Sequence, residues 1–527
     1  MKTYFSTKGL FVVSTLVLLT ACGNDEPQDT TEAEHTSSPD ATSELRVAFN
    51  AQPPSLDPYI TTAVATRDIA RHIYEGLVTF DENYEIQPWL AESYDVSDDG
   101  TSYTFTLRED VSFHNGETMT SDDVVASMER WFTTAANAKE EFSDATISAV
   151  DEHTVLLELE EPSAVAITTL ASPDEIAAIT PADLAESASA DGISEHIGTG
   201  PYKLENWQHD QHIHLSRFED YENPEQTSTG LASLREAHAS DIYFEFVTDP
   251  STRVAGMQSN QYDVANAIPF DNVEQLEQDA NVVNHADQNG FNALIFNKEQ
   301  GVFSDQAIRQ AANTALNMEA IQQAAFTNEE YYKISHDFMT EDRADWYTEV
   351  GSEYYNQNDS ELAQQLLEES AYNGEEVVIL TSRDYDDHYS AAVVIQQELE
   401  AIGMNVTLDL YDWPTVLERR ADPTAHDAFV TGFQTPASPT QYVFLESSAG
   451  WPGWTNSEEI DQHVDNIRTA VDQDEAMRYY EDLQEEIWTY LPLIRFGDKT
   501  TITTVRENVD GYDFQQGLIL WNTHVTE

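Results

Sequence analysis

Apolar positions along this chain change period repeatedly, and each change predicts an element. Leu45, Val47 and Phe49 recur at every second position, the spacing of a half-buried strand, with the loop 50–54 at its carboxyl end. Tyr103, Phe105 and Leu107 repeat the spacing behind the turn pair Asp99-Gly100, so a hairpin strand is predicted there. Thr120 followed three residues on by Asp123 reads as a capping box. Behind it Val124, Val125, Met128, Trp131 and Phe132 fall at helical spacing. Further strands are predicted over 154–160, 242–247 and 292–297, and helical turns over 164–170 and 306–316, the latter capped by Ser304-Asp305. The C-terminal third contains a β-α-β unit: strand 376–380, a helix over 387–402 buried through Ala391, Ile395, Leu399 and Ile402, Gly403 past its end, then strand 406–410. Such a unit closes right-handed, giving parallel strands whose carboxyl ends face a cleft. A last helix runs through Tyr479, Leu483 and Ile487 before Leu491-Pro492-Leu493-Ile494.

The amino terminus follows other rules. Lys2 and Lys8 flank a mostly apolar run over 10–19, too short to span a bilayer and right for a signal peptide over 1–21. Leu19-Thr20-Ala21-Cys22 matches a bacterial lipobox. Cys22, the only cysteine, is therefore expected to carry the lipid anchor, and no internal disulfide is possible. A diacylglyceryl group supplies two chains, enough for stable attachment. Residues 22–43, rich in Asp, Glu, Thr, Ser and Pro, are expected to form a disordered acidic tether. The expected location is the extracellular face of the cytoplasmic membrane, with lipid as the only membrane contact.

Charge narrows the partners. Lys and Arg number 24 against 97 Asp and Glu, a net charge of −73. Such a chain repels nucleic acid and anionic membranes. The acids are interleaved with apolar periodicity, so disorder does not explain them; an acidic surface adapted to high salt does. No GxSxG, HExxH or phosphate-loop motif occurs, and the single thiol is committed to lipid. With 97 acids, chance carboxylate pairs carry no weight as acid–base dyads. An enzyme is not expected. His209, His212 and His214 fall in a predicted hairpin where a metal is geometrically conceivable; without a nearby cysteine or second histidine pair, a solvated hairpin is the favoured reading. No metal and no cofactor is expected.

A set of phrases in fixed order then identifies a relationship. Leu56-Asp57-Pro58, Tyr74-Glu75-Gly76-Leu77, Pro88-Trp89-Leu90-Ala91-Glu92-Ser93, Phe113-His114-Asn115-Gly116 and, later, Ile197-Gly198-Thr199-Gly200-Pro201-Tyr202 resemble the family 5 solute-binding proteins of ABC importers. Ile308-Arg309-Gln310-Ala311 belongs to the same resemblance, which covers about residues 44 to 527. It implies an α/β, two-lobed, periplasmic-binding-protein-like (type II) fold with an extra small subdomain in the first lobe. The implied division is 44–76 with 191–288 and 497–527 as first lobe, 77–190 as extra subdomain and 289–496 as second lobe. The chain would cross between lobes near 289–292 and 496–498, permitting closure on a solute. The implied function is a lipid-anchored, monomeric receptor that hands a peptide or related carboxylate-bearing solute to ABC permease subunits. A nickel-chelate or other small-solute receptor, or a solute sensor on the same scaffold, is the alternative.

In dipeptide receptors of this family an arginine in the strand-end loop holds the peptide carboxylate, and Arg383 stands at the matching position, with Tyr385 beside it. A guanidinium can fork onto a carboxylate; equally, Arg383 can pair with Asp384, Asp386 or Asp387 at the surface. Trp413 and Phe433 are candidate pocket walls, with Trp451 and Trp454 behind them. Peptide receptors also carry an aspartate shortly after a Gly-Trp pair, for the peptide ammonium. Here the stretch reads Gly432-Phe433-Gln434-Thr435-Pro436-Ala437-Ser438-Pro439, without an acid. Glu446 or a shifted acid is a candidate substitute; either way ordinary di- or oligopeptide binding is not the firm expectation, and a different solute with a carboxylate is the alternative.

Overall fold

The computed structural model describes residues 44–341 and 343–526. The expected signal peptide, tether and lipid-anchor Cys22 lie outside the described residues.

Two long antiparallel strands, Val282–Phe296 and Leu493–Arg506, run through the middle of an 11-stranded mixed sheet. Beyond Leu493–Arg506 the order continues with Val264–Ala265, Glu44–Phe49, Asp241–Phe246, His212–Arg217 and Tyr202–Gln208. Beyond Val282–Phe296 it continues with Ala428–Phe433, Glu376–Ser382 and Asn405–Tyr411, and the eleventh strand, Tyr332–Lys333, pairs off this path with Leu493–Arg506. The two groups attach at opposite ends of the long pair. Ala428–Phe433 pairs with 291–296, whereas Val264–Ala265 pairs with 504–505. Between these attachments the long pair shifts register, once between Gln288 and Phe291 and again between Asn292 and Ala293. Such irregularities bend a strand and re-aim its side chains. The buried apolar residues likewise form two clusters, one including Leu45, Phe105, Trp131 and Tyr202, the other including Leu294, Ile379, Ile395 and Leu483.

The β-α-β unit is present with slightly shifted limits. Glu376–Ser382 and Asn405–Tyr411 are parallel along their whole length. Helix Asp386–Ala401 buries Ala391, Ala392, Ile395 and Leu399, and Gly403 at φ +102° turns the chain back. Periodicity found the buried face but not the strand ends, because Thr381 and Ser382 are polar yet fully buried beneath the cleft.

A separate four-stranded antiparallel sheet is ordered Ala91–Val96, Ser102–Leu107, Thr154–Glu158, Thr146–Asp151. Helix Ser121–Thr134 starts as expected at Thr120, whose backbone N–H donates to Asp123 Oδ2 at 2.9 Å. The recurring phrases meet in this half of the molecule. Glu75, 2 % exposed, accepts from Trp89 Nε1 at 2.7 Å, Arg235 Nη1 at 2.7 Å, Tyr221 Oη at 2.7 Å and Thr199 Oγ1 at 2.8 Å. Gly198-Thr199-Gly200 lies directly on the backbone of 72–73: Gly200 N–H donates to Ile73 O at 2.9 Å, and a Cβ on Gly198 would stand 2.1 Å from that same oxygen. Gly198 N–H also donates to His114 Nδ1 at 3.3 Å, which leaves Nε2 to donate to Gly200 O at 2.9 Å; burial lowers the pKa of this ring to about 4. Asp57 is buried against Arg130, whose Nη2 lies 2.5 Å from Oδ2. These phrases are one interlocked polar core.

The histidine hairpin forms from Tyr202–Gln208 and His212–Arg217. His214 bonds to Asp241 at 2.6 Å and stacks on Tyr243, while His209 stacks on Trp207. Among the described residues no group of three or more His, Cys, Asp or Glu could hold a metal ion.

Candidate ligand-binding cleft

A cavity of about 590 Å³ opens beside the two long strands, where the two strand groups face each other. Asn50, Ala51 and Gln52, in the loop after strand Glu44–Phe49, line one side together with Arg67, Asp68 and Asn266. The opposite side carries Tyr385, Trp413, Arg420, Phe433 and Trp451, while Thr501 and Thr503 come from the long strand Leu493–Arg506. The volume falls within the range of small-molecule sites, and the mixture of aromatic wall and scattered polar groups is the usual composition of such a site.

Local geometry fixes the aromatic wall. Trp413 is the first residue of helix Trp413–Arg420, whose N-cap Asp412 accepts from Thr415 N at 2.9 Å. Its own backbone N–H donates to Asp384 Oδ2 at 2.7 Å, which ties this helix to the loop after Glu376–Ser382. Tyr385 stands at the N-cap position of helix Asp386–Ala401, edge-on to Trp413 at 5.0 Å, and both rings pack on the buried His388. Phe433 ends strand Ala428–Phe433 and packs against Phe291, Phe444 and Trp451 at 5.4, 4.9 and 5.6 Å. Trp454 faces His426 and is not a lining residue.

Arg383 is placed differently from its neighbours. It is exposed, its guanidinium carbon lies 5.0 Å from the centroid of the Tyr389 ring, and it is not among the lining residues. Among the described residues it has no ion pair, so neither Asp384, Asp386 nor Asp387 neutralises it in this conformation. Glu446 does not line the cavity either and is paired with Arg468.

Sequence reading missed Arg420. It ends the helix that Trp413 begins, and Trp413, Leu417 and Arg420 fall at i, i+4 and i+7, one face turned to the cavity. That spacing was the available signal once Trp413 was assigned to the wall. The guanidinium carbon of Arg420 lies 5.3 Å from the Trp451 ring centroid and 5.6 Å from that of Phe429. Planar stacking on aromatic faces suits a guanidinium. Burial lowers its pKa, and among the described residues it has neither an ion pair nor a hydrogen-bonded acceptor for its side chain. Arg67, the other lining cation, is fully engaged: Nε and Nη2 donate to Asp68 Oδ1 at 3.0 and 2.9 Å, and Nη1 donates to Asp174 at 3.0 Å and to Gln434.

The cleft lies between two strand groups and is walled by aromatic rings and a guanidinium. The chain belongs to the bacterial extracellular solute-binding proteins, family 5, whose middle region matches residues 85–455. It is 27 % identical over 498 residues to a probable peptide ABC transporter periplasmic-binding protein, y4tO, of Sinorhizobium fredii, spanning 88 % of this chain and 90 % of that one. It is 26 % identical over 476 residues to the glutathione-binding protein GsiB of Pectobacterium atrosepticum, spanning 87 % and 89 %. Among solved structures, the binding protein AgaA of A. tumefaciens R10, in complex with agropinic acid, superposes with a TM-score of 0.78 at 27 % identity, over 92 % of this chain and 99 % of that one. The fold is the two-lobed α/β fold of periplasmic binding proteins. The protein is a non-enzymatic, extracellular solute receptor of an ABC importer for peptides or related solutes. Among the described residues no helix is long and apolar enough to cross a membrane.

Proposed function

We propose that this receptor captures a carboxylate-bearing solute, a peptide or related acid, by closing two lobes around it, and delivers it to its permease while tethered through a lipid on Cys22. The observation that carries the reading is the cavity of about 590 Å³ with Tyr385, Trp413 and Phe433 in its wall. The relatives named for peptides and glutathione, and the neighbour holding agropinic acid, support an acid or peptide cargo. Arg383, two residues before Tyr385, is kept as a contact the solute recruits; its side chain must leave Tyr389 and turn inward. The lobe division at 289–292 and 496–498 is supported by the register shifts of the long strand pair near Gln288, Phe291 and Asn292. Closure would bend the chain there.

Intrinsic fluorescence tests capture, because Trp413 and Trp451 both line the cavity. A cognate solute is expected to change their emission saturably and to reduce the radius of gyration in X-ray scattering. Saturable emission changes with an unaltered scattering profile would remove lobe closure while leaving binding in place. Anchoring is tested by Cys22→Ser, which is expected to move the protein from the membrane fraction to the medium. The net charge of −73 supports adaptation to high salt; a higher melting temperature in dilute buffer than in molar salt would refute that part.

A further inference from the structure

We infer that the cleft selects an organic acid that carries no free ammonium group, with Arg420 as the anchor for its carboxylate. The inference rests on the receptor reading and narrows its cargo.

The charges lining the cavity differ in whether they have partners within the protein. Asp68 is the one carboxylate among the described lining residues. It is 4 % exposed, and its Oδ1 already accepts twice from Arg67. Arg67 in turn is held by Asp68, Asp174 and Gln434. Arg420 alone presents a guanidinium to the cavity with no acceptor among the described residues, held in place by the rings of Trp451 and Phe429. A partly buried, unpaired cation costs free energy in the empty protein, and a ligand carboxylate recovers it through charge-assisted hydrogen bonds.

The other end of a zwitterion finds no unshared carboxylate, since Asp68 is already bound through Oδ1 to Arg67. In the stretch after Phe433, side chains and carbonyls are already committed within the protein. Gln434 accepts from Arg67, Thr435 O accepts from Gln516 Nε2 at 2.8 Å, and Arg343 donates to Pro436 O at 2.9 Å and Ala437 O at 2.5 Å. Residues 434–437 do not line the cavity, and guanidinium and amide donors of the protein already fill these acceptors. The remaining polar lining is neutral and includes Asn50, Gln52, Asn266, Thr431, Thr501 and Thr503. Amides and hydroxyls suit hydroxyl, acyl or lactam groups and do not neutralise a desolvated ammonium.

Four probes separate the possibilities: Ala-Phe, N-acetyl-Ala-Phe, the C-terminal amide of N-acetyl-Ala-Phe, and gluconate. Each is titrated calorimetrically into the full-length receptor and into its Arg420→Gln and Arg420→Lys variants at molar salt. At least one ammonium-free acid is expected to bind roughly tenfold or more tightly than Ala-Phe, and the amide is expected not to bind. Arg420→Gln should weaken the acid roughly tenfold or more, with Arg420→Lys recovering part of the loss, since an ammonium keeps the charge but not the fork. Ala-Phe binding tightest, with Arg420→Gln without effect, would overturn the inference and leave the receptor reading standing. If none of the four binds, the inference falls. The receptor reading falls with it only if native mass spectrometry also finds no solute co-purifying with the protein.

Discussion

Glu75 and Arg420 are both charged, one buried and the other half-buried, and their surroundings are opposite. Glu75 sits where the recurring phrases converge, with four donors from Trp89, Thr199, Tyr221 and Arg235 on its two oxygens. Arg420 sits in the cleft wall with two aromatic rings and, among the described residues, no acceptor. A buried charge with all its partners inside the chain is architecture; one whose partner is missing is waiting for something from outside. The difference separates the half of this molecule that holds the fold from the wall that defines the cargo.

The largest effect should come from breaking the satisfied charge. Glu75→Ala leaves Arg235, 5 % exposed and stacked between Trp89 and Trp521, without its carboxylate. Removing one partner of a buried pair costs about 3–5 kcal/mol, so the urea midpoint should fall far below that of the native chain. A midpoint shift no larger than that of a surface substitution would mean that Glu75 is not the hub its contacts describe.

Acid should attack the same half next. His72 is fully buried, its Nε2 accepts from Leu520 N–H at 3.1 Å, and burial, with Arg71 nearby, pulls its pKa down to about 3. The unfolded chain protonates this ring below about 6.5, while the folded chain resists down to about 3. Between those values the unfolded state binds the extra proton, so stability is fully present above about pH 6.5 and drains away as pH falls. The loss per pH unit approaches about 1.4 kcal/mol for this one group. Measured against His72→Gln, whose amide oxygen can still accept from Leu520, the native chain should lose stability faster over this window. Parallel pH profiles for the two proteins would show that His72 carries no such linkage.

The comparison also explains which parts were legible in the sequence. Elements came from period: the strand around Phe105, the Thr120 cap and the helix buried through Ile395 all lie where one face is apolar and the other wet. The phrases around Glu75, Trp89 and Thr199 were recognisable because a closed polar network tolerates few substitutes: each residue type answers a specific donor or acceptor. The cleft wall has no such internal logic. Trp413 and Phe433 could be nominated because solute clefts are largely apolar, and Tyr385 through the family resemblance of its loop; all three line the cavity. Arg383 was nominated by that same resemblance and lies over Tyr389 instead, because position along a loop does not fix the torsions of a long side chain. Arg420 escaped because its only signal, the i, i+4, i+7 spacing from Trp413, becomes readable once Trp413 is placed in the wall, and the lack of an internal partner among the described residues leaves no trace in the sequence.

The smallest effect on stability, and the sharpest test of the contrast, belongs to the unpartnered charge. Arg420→Gln removes no intramolecular hydrogen bond or ion pair seen among the described residues, so the melting point of the empty receptor should stay within what about 0.5 kcal/mol produces. It should even rise slightly if desolvation of the guanidinium outweighs its stacking on Trp451 and Phe429. The same charge should govern how an acid arrives. A surface with a net charge of −73 repels an anion at long range, and the Debye length shrinks from about 10 Å at 0.1 M salt to about 3 Å at 1 M. Association rates of an acid ligand should therefore rise with ionic strength, the reverse of the usual steered encounter. Its dissociation rate, set at close range by the Arg420 contact, should move far less. Stopped-flow tryptophan fluorescence separates the two rates; an association rate that falls as salt is added would mean that the local field of Arg420 reaches beyond the cleft and outweighs the acidic surface around it.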